Sequence, residues 1–176
     1  ILHPLAVARI VVDEIGLGVK SVVAALLHDV VEDTDYTVED IESRFGPKIA
    51  LMVDGLTKMS GVFKTSASEQ AENFRKVLLT LSHDVRVILI KIADRLHNMR
   101  TLGSMPPHKQ MKITSETIYL FAPLAYRLGL FAIKSELEDL TLKYRFPEDY
   151  RQIENKIRET EAKRSRFIEK FNAPII

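Results

Sequence analysis

Val85, Ile88, Ile92, Leu96 and Met99 recur at spacings of three and four through a stretch that holds no Gly or Pro. Val85 to Ile92 is β-branched enough to suit a strand, but the pattern runs on too long for one and predicts a buried helix. The same reading extends along the chain. Its 176 residues hold only 7 Gly and 7 Pro, clustered at a few places, and the segments between them carry helical spacing, so an all-α domain is expected. Pro4 to Ile15 reads as a first helix ended by Gly16-Leu17-Gly18, and Val19 to Val31, apolar almost all round, as a buried helix at the centre of the fold.

Thr37 with Asp40 resembles a capping box, Gly46 closes the helix it opens, and Pro47 starts another that runs to about Met59 before a loop at 60–65. Ser66 with Glu69 opens an amphipathic helix through Ala71, Phe74, Leu78 and Leu81. After a loop from Gly103 to Pro107, helices are expected near 109–128 and 130–145, parted by Gly129, with Pro147 opening a last one. From 151 to 170 the apolar positions thin to Ile153, Ile157, Phe167 and Ile168, as in an exposed arm. No internal repeat is evident.

Composition narrows the function. The absence of Cys excludes disulfides, zinc ribbons and thiol catalysis. A net charge of +1 with 28% charged residues excludes a disordered polyelectrolyte and argues against a protein that coats nucleic acid. The longest apolar run, Val22 to Leu27, falls far short of the roughly 20 residues that cross a bilayer. The start, Ile1-Leu2-His3-Pro4, has neither Met nor a basic n-region and reads as a cut into a longer chain rather than a signal peptide, so a cytoplasmic location is expected.

Chemistry concentrates in two stretches. Leu27-His28-Asp29-Val30-Val31-Glu32-Asp33-Thr34 places ionisable groups at the end of the most apolar helix, where unpaired burial is costly. On a helix, residues four apart share a face about 5.4 Å from one another, so Glu32 would lie beside His28 and Asp33 beside Asp29. One pair could then hold a metal while the other stands behind it. The alternative is a polar helix end in a region already acidic with Asp35, Glu39, Asp40 and Glu42. His83-Asp84 serves as a control: it follows Ser82, has no acids a turn later, and reads as a cap or a surface site.

In the second stretch, Lys91 to Thr101, the residues Asp94, Asn98 and Thr101 fall at i, i+4 and i+7 on an otherwise apolar helix. A salt bridge from Asp94 to Arg95 or Lys91 is the competing account. His3 could be a solvated terminal residue, His97 a ligand or a group bonded within its own helix, and His108 a loop residue. Histidine nitrogens with carboxylates, and no sulfur, form a donor set for Mn²⁺, Fe²⁺ or Zn²⁺. An octahedral ion with four protein ligands keeps two positions for water and a substrate oxygen.

Together His3-Pro4, His28-Asp29 with Glu32-Asp33, and Asp94-Arg95-Leu96-His97-Asn98-Met99-Arg100-Thr101 resemble the His-Asp (HD) metal-hydrolase domain of the RelA/SpoT homologues. Further matching stretches are Val53 to Lys58, Gln70 to Lys76, Ala122 to Gly129 and Lys134 to Leu140, so the resemblance covers nearly the whole chain. It implies an all-α HD helical bundle over residues 1–150, with 151–176 a connector towards the C-terminal synthetase and regulatory domains of a parent chain. It further implies one Mn²⁺ held by His3, His28, Asp29 and Asp94, an attacking water set up by Glu32 and Asp33, and nucleotide contacts from Asn98 and Thr101.

The implied reaction removes the 3′-diphosphate of (p)ppGpp as pyrophosphate, leaving GDP or GTP, with no nucleic-acid or membrane partner. Two departures from the family pattern stand out. The basic pair that precedes the first metal histidine in the family lies before this chain begins, and Tyr126 stands where His or Asn is expected. Two rivals remain: a regulatory module that binds nucleotide without turnover, and an HD phosphohydrolase acting on a different nucleotide.

Overall fold

The computed structural model describes residues 2–63 and 84–172, and every regular element in them is helical. In chain order these are α1 (Leu2–Asp13), α2 (Val19–Leu26), α3 (Val30–Asp33), α4 (Val38–Phe45), α5 (Pro47–Phe63), α6 (Val85–Arg100), α7 (Pro107–Glu116), α8 (Ala122–Arg127), α9 (Phe131–Arg145) and α10 (Pro147–Asn172). A 3₁₀ turn, Leu102–Ser104, follows α6, and a π-helical segment, Thr117–Phe121, joins α7 to α8. The expected helix with its cap at Ser66, and His83, lie outside the described residues. Among the described residues no helix is long and apolar enough to cross a membrane.

The fold is centred on α6 rather than on the segment from Val19. Val87, Ile88, Ile90, Ile92, Ala93, Leu96 and Met99 are all buried, and the helix packs against α1, α2, α5 and α9. Its apolar periodicity is thus met by neighbours on several sides. In α2 only Ser21, Ala24 and Ala25 are buried, and Val19 is 79% exposed. The α5–α6 approach is close enough that a Cβ on Gly55 would come within 3.1 Å of a Val87 methyl.

Local chemistry sets several helix ends. The Thr37 hydroxyl accepts from the Asp40 N–H at 3.2 Å and the Asp40 carboxylate accepts from the Thr37 N–H at 2.9 Å, a reciprocal cap at the start of α4. Gly46 and Gly129 take φ of 83° and 77° where α4 and α8 end, a region glycine enters without steric cost. Asp84 caps α6, accepting from the Arg86 N–H at 3.0 Å and pairing with its guanidinium at 2.6 Å. At the other end of α6, Arg100 reaches Glu14 at 2.7 Å and Glu136 at 2.6 Å, tying the helix to the end of α1 and to α9.

Three expected boundaries are corrected. Instead of looping from residue 60, α5 continues to Phe63. The helix expected near 109–128 starts at Pro107, which suits a first turn, and carries the π segment within it. The helix expected over Val19–Val31 is broken: it ends at Leu26, turns through Leu27, His28 and Asp29, and resumes as α3. Leu27 and Asp29 adopt φ near −103° and −104° with ψ near zero, at the edge of the α region rather than at its centre. The last helix, α10, opens at Pro147 as expected and runs unbroken to Asn172.

Two outcomes follow. Because Ile88 is fully buried, Ile88→Ala should lower unfolding free energy by about 3 kcal/mol in urea titrations, against under about 0.5 kcal/mol for Val19→Ala. Asp84→Ala should cost about 1 kcal/mol at neutral pH. The hydrogen bonds from Arg86 outweigh burial and hold the Asp84 carboxyl below its usual range, so its contribution is present above the ordinary aspartate value of about 3.9 and lost as pH falls through the lower folded value. The gap between the two proteins should therefore narrow in unfolding titrations carried towards pH 3.

Candidate metal centre

Three separate elements converge on one point. α1 brings His3, the turn between α2 and α3 brings His28 and Asp29, and α6 brings Asp94. One ligand atom from each of His3, His28 and Asp94 lies within 4.8 Å of the others, a group of the size that holds a metal ion. Asp29 joins it through Oδ2, at 2.9 Å from His28 Nε2 and 3.9 Å from His3 Nε2. Asp94 Oδ1 lies 3.1 Å from His3 Nε2 and 3.9 Å from His28 Nε2. The two Nε2 atoms are themselves 3.3 Å apart.

The broken helix explains how His28 is presented. Where α2 ends, its last carbonyls lose their intrahelical partners. One of them, Ala25 C=O, accepts the His28 Nδ1–H at 2.7 Å. With its proton on Nδ1, the neutral ring turns the lone pair of Nε2 towards the carboxylates. The ring is fully buried, so no bulk water meets that lone pair. The Nδ1 of His3 is likewise engaged, 2.7 Å from Nδ1 of His97. Both histidines thus keep Nδ1 occupied and aim Nε2 at the same place. Two such lone pairs beside two carboxylates repel one another unless a cation sits among them, a proton or a metal ion.

Charges around the cluster act in the same sense. Burial alone would raise the Asp94 carboxyl, but the close contact with His3 Nε2 and the charge of Lys91 outweigh it and hold the group far below the usual carboxylate range. Burial would also raise Asp29; its bond to His28 prevails and lowers it. For His28 burial works downwards, yet the Asp29 bond and the Asp94 charge lift the imidazole above its ordinary value. His97 moves the other way, lowered by burial and by His3. Ionised carboxylates and a buried imidazole, His28, that attracts positive charge suit a divalent ion of the borderline class.

Other residues singled out in the sequence fall around this point. Asn98 Nδ2 donates to Asp94 Oδ1 at 2.9 Å, so the amide supports a ligand directly. Thr101, at the C-cap of α6, is exposed and donates its hydroxyl to the His97 carbonyl at 3.0 Å rather than joining the cluster. On α3, Glu32 is half-buried and Asp33 exposed, at the rim beside His28 and Asp29. Because the helix breaks at 27–29, the expected side-by-side pairing of these four residues on one continuous helix does not hold, although the Asp33 N–H still donates to the Asp29 carbonyl at 2.9 Å.

Of the rival partners for Asp94, Arg95 pairs with Glu116 at 2.8 Å, whereas Lys91, only 6% exposed, has Nζ 3.5 Å from Asp94 Oδ2. His97 does not point its Nδ1 into the cluster but meets His3 from behind. His108 is exposed at the start of α7. Sequence reading missed the part played by the Ala25 carbonyl, since nothing in the residue types marks where α2 stops.

Comparison with known proteins agrees with this architecture. Residues 1–131 match the sequence profile of the HD domain. The chain is 44% identical over 174 residues to guanosine-3′,5′-bis(diphosphate) 3′-pyrophosphohydrolase of Aquifex aeolicus, covering 99% of this chain and 25% of that protein. It is 45% identical over 176 residues to the bifunctional (p)ppGpp synthase/hydrolase SpoT of Escherichia coli K12, again covering 99% of this chain and 25% of the relative. The chain thus spans about a quarter of the length of these relatives. A crystal structure from Listeria monocytogenes EGD-e superposes with a TM-score of 0.52 at 25% identity, covering 81% of this chain and 94% of that one. A metazoan orthologue of SpoT shares the fold at 24% identity and a TM-score of 0.53, covering 82% and 80%.

The cluster makes metal binding measurable as stability. At a free ion concentration about 100 times its Kd, Mn²⁺, Fe²⁺ or Zn²⁺ should stabilise the fold by about 2.7 kcal/mol. The rise in thermal midpoint should vanish with EDTA and be missing in His28→Ala.

Proposed function

The chain belongs to the HD domain family, and from that premise we propose that it hydrolyses (p)ppGpp at the 3′-diphosphate, using Mn²⁺ held by His3, His28, Asp29 and Asp94. The observation that carries this reading is the pair of facing imidazole nitrogens, 3.3 Å apart and flanked by two carboxylates, with Nδ1 of each ring engaged elsewhere. The substrate class rests on the relatives that are named as 3′-pyrophosphohydrolases of guanosine bis(diphosphate).

When bound, the ion makes water more acidic and withdraws charge from a phosphate oxygen. Glu32 and Asp33, at the rim on α3, orient the attacking water, and one of the two carboxylates takes its proton. A bond forms from the water oxygen to the phosphorus next to the ribose 3′ oxygen, and the bond from that phosphorus to O3′ breaks. O3′ takes up a proton, so ppGpp and water give GDP and pyrophosphate, while pppGpp gives GTP. Asn98 and Thr101 contact the nucleotide from the end of α6. Lys91 and the metal charge together offset the carboxylates and leave the site able to accept a polyanion.

We place the hydrolase unit at residues 1–150 and a helical connector at 151–176, in keeping with relatives about four times as long, one of them named as both synthase and hydrolase. In this reading the C-terminal synthetase and regulatory domains of the parent protein are the partners of the domain, and its nucleotide substrate puts it in the cytoplasm.

Incubated with Mn²⁺ and ppGpp, the protein should release pyrophosphate, and EDTA should stop it. Glu32→Gln should lower kcat by about 10²- to 10⁴-fold while Mn²⁺ stays bound. Bound Mn²⁺ with ppGpp intact after hours would overturn the assignment, and turnover of a different nucleotide in a substrate panel would reassign it.

A further inference from the structure

His97 is half-buried on α6, three residues beyond Asp94, and its only described ring partner is His3, 94 positions earlier in the chain. The contact is close, Nδ1 to Nδ1 at 2.7 Å, with ring centroids 4.7 Å apart. Two imidazole nitrogens at that separation share one hydrogen: one ring donates and the other accepts. His3 Nε2 faces Asp94 at 3.1 Å and His28 at 3.3 Å, so a metal ligand at that atom needs an unprotonated Nε2 and therefore a proton on Nδ1. The shared hydrogen then belongs to His3, and Nδ1 of His97 is its acceptor.

We propose that His97 is a positioning residue that holds His3 in the Nε2-ligating tautomer and fixes the plane of its ring, acting on the metal only through His3. It does for His3 what the Ala25 carbonyl does for His28. The two orienters differ in kind: the carbonyl can only accept, whereas an imidazole accepts at Nδ1 only when its own hydrogen is on Nε2. The surroundings of His97 allow this, because with Ala6, Arg9, Glu14 and Arg100 it lines a cavity of about 350 Å³ where water can take the Nε2–H. The ring is therefore not a filler of the apolar core, whose α6 members include Ile88, Ile92, Leu96 and Met99. His3 lies near the start of α1, and its backbone gives it no neighbouring freed carbonyl of the sort that ends α2, which explains why its orienter comes from a distant helix.

The inference rests on the reading of the cluster as a metal site, and Mn²⁺ binding followed by the electron paramagnetic resonance of free Mn²⁺ tests both without recourse to turnover. His97→Phe keeps the ring shape and removes the acceptor; it should weaken Mn²⁺ binding about 10- to 100-fold. His97→Asn, whose amide oxygen falls near the position of Nδ1, should restore most of that loss. In a His3→Ala background the His97→Phe substitution should have no further effect on affinity, since the group it orients is gone. Circular dichroism of the metal-free proteins checks that each is folded, and His97→Ala replaces the phenylalanine variant if that one is not.

Wild-type affinity in His97→Phe, equal losses in the Phe and Asn variants, or a full loss persisting in the His3→Ala background would each overturn the role of His97 and leave the metal site standing. Failure of the wild-type protein to bind Mn²⁺ at all would overturn both.

Discussion

Two imidazole lone pairs pointed at the same place, one of them on a fully buried ring, form the constraint around which the chain is arranged. His3 and His28 each give up Nδ1 to a neighbour, and their Nε2 atoms meet 3.3 Å apart beside the carboxylates of Asp29 and Asp94. In water such groups would turn away or be solvated, but the wholly buried His28 ring has no solvent to turn to. A cation at the centre converts the repulsion into attraction to all four groups. The arrangement is held from outside by packing: α1 and α2 lie against each other, and both lie against α6, so the separation of the ligands is set by helix contacts rather than by the ligands. Arg100, reaching from the end of α6 to Glu14 and Glu136, adds a lateral tie close to the same junction.

How much of this could be read from residues alone depends on whether the cause was local. The apolar spacing of α6 stands out because its pattern repeats for four turns without a breaker, and its burial follows. The reciprocal cap at Thr37 and Asp40, the N-cap at Asp84 and the glycine ends at Gly46 and Gly129 are chemistry of neighbouring residues and are equally legible. The break at Leu27 to Asp29 is not. No Gly or Pro marks it, and the apolar run Val-Val-Ala-Ala-Leu-Leu continues straight into His28, so helix propensity gives no reason to stop. What accompanies the stop is a tertiary contact set, with His28 on the Ala25 carbonyl and beside Asp29, His3 and Asp94. The burial of Lys91 and the meeting of His97 with His3 were hidden for the same reason, since each depends on a contact between elements far apart in sequence.

Near-neutral overall charge also takes on a different meaning beside the site. A chain of net charge +1 carries no overall excess of positive charge with which to gather a polyanion by long-range attraction. In the proposed reaction the charge that matters is local: the two carboxylates and Lys91 leave the cluster near −1 with neutral histidines, and a divalent ion brings it to about +1. Most of the attraction for a substrate phosphate is then gained only with the ion in place. On that proposal, metal binding would switch the sign of the site.

The polar groups beyond the ligands limit what they can recognise. Thr101 commits its hydroxyl proton to the His97 carbonyl, so in the observed geometry it offers a ligand only lone pairs. Asn98 commits one N–H to Asp94 Oδ1 and retains its carbonyl oxygen and second N–H. Phosphate oxygens are acceptors and gain nothing from a lone pair; a base edge or a ribose hydroxyl carries the N–H or O–H donors that do. Thr101 therefore suits the nucleoside part of the proposed substrate, whereas Asn98, with an N–H and an oxygen still to offer, can meet a base edge. Asn98 also stands in both roles at once, because the amide that would meet the nucleoside also supports a ligand of the ion. Its removal should not be read as the loss of a nucleotide contact alone: a change in metal affinity must accompany it, and only the part of a KM effect that survives at saturating metal belongs to the nucleoside.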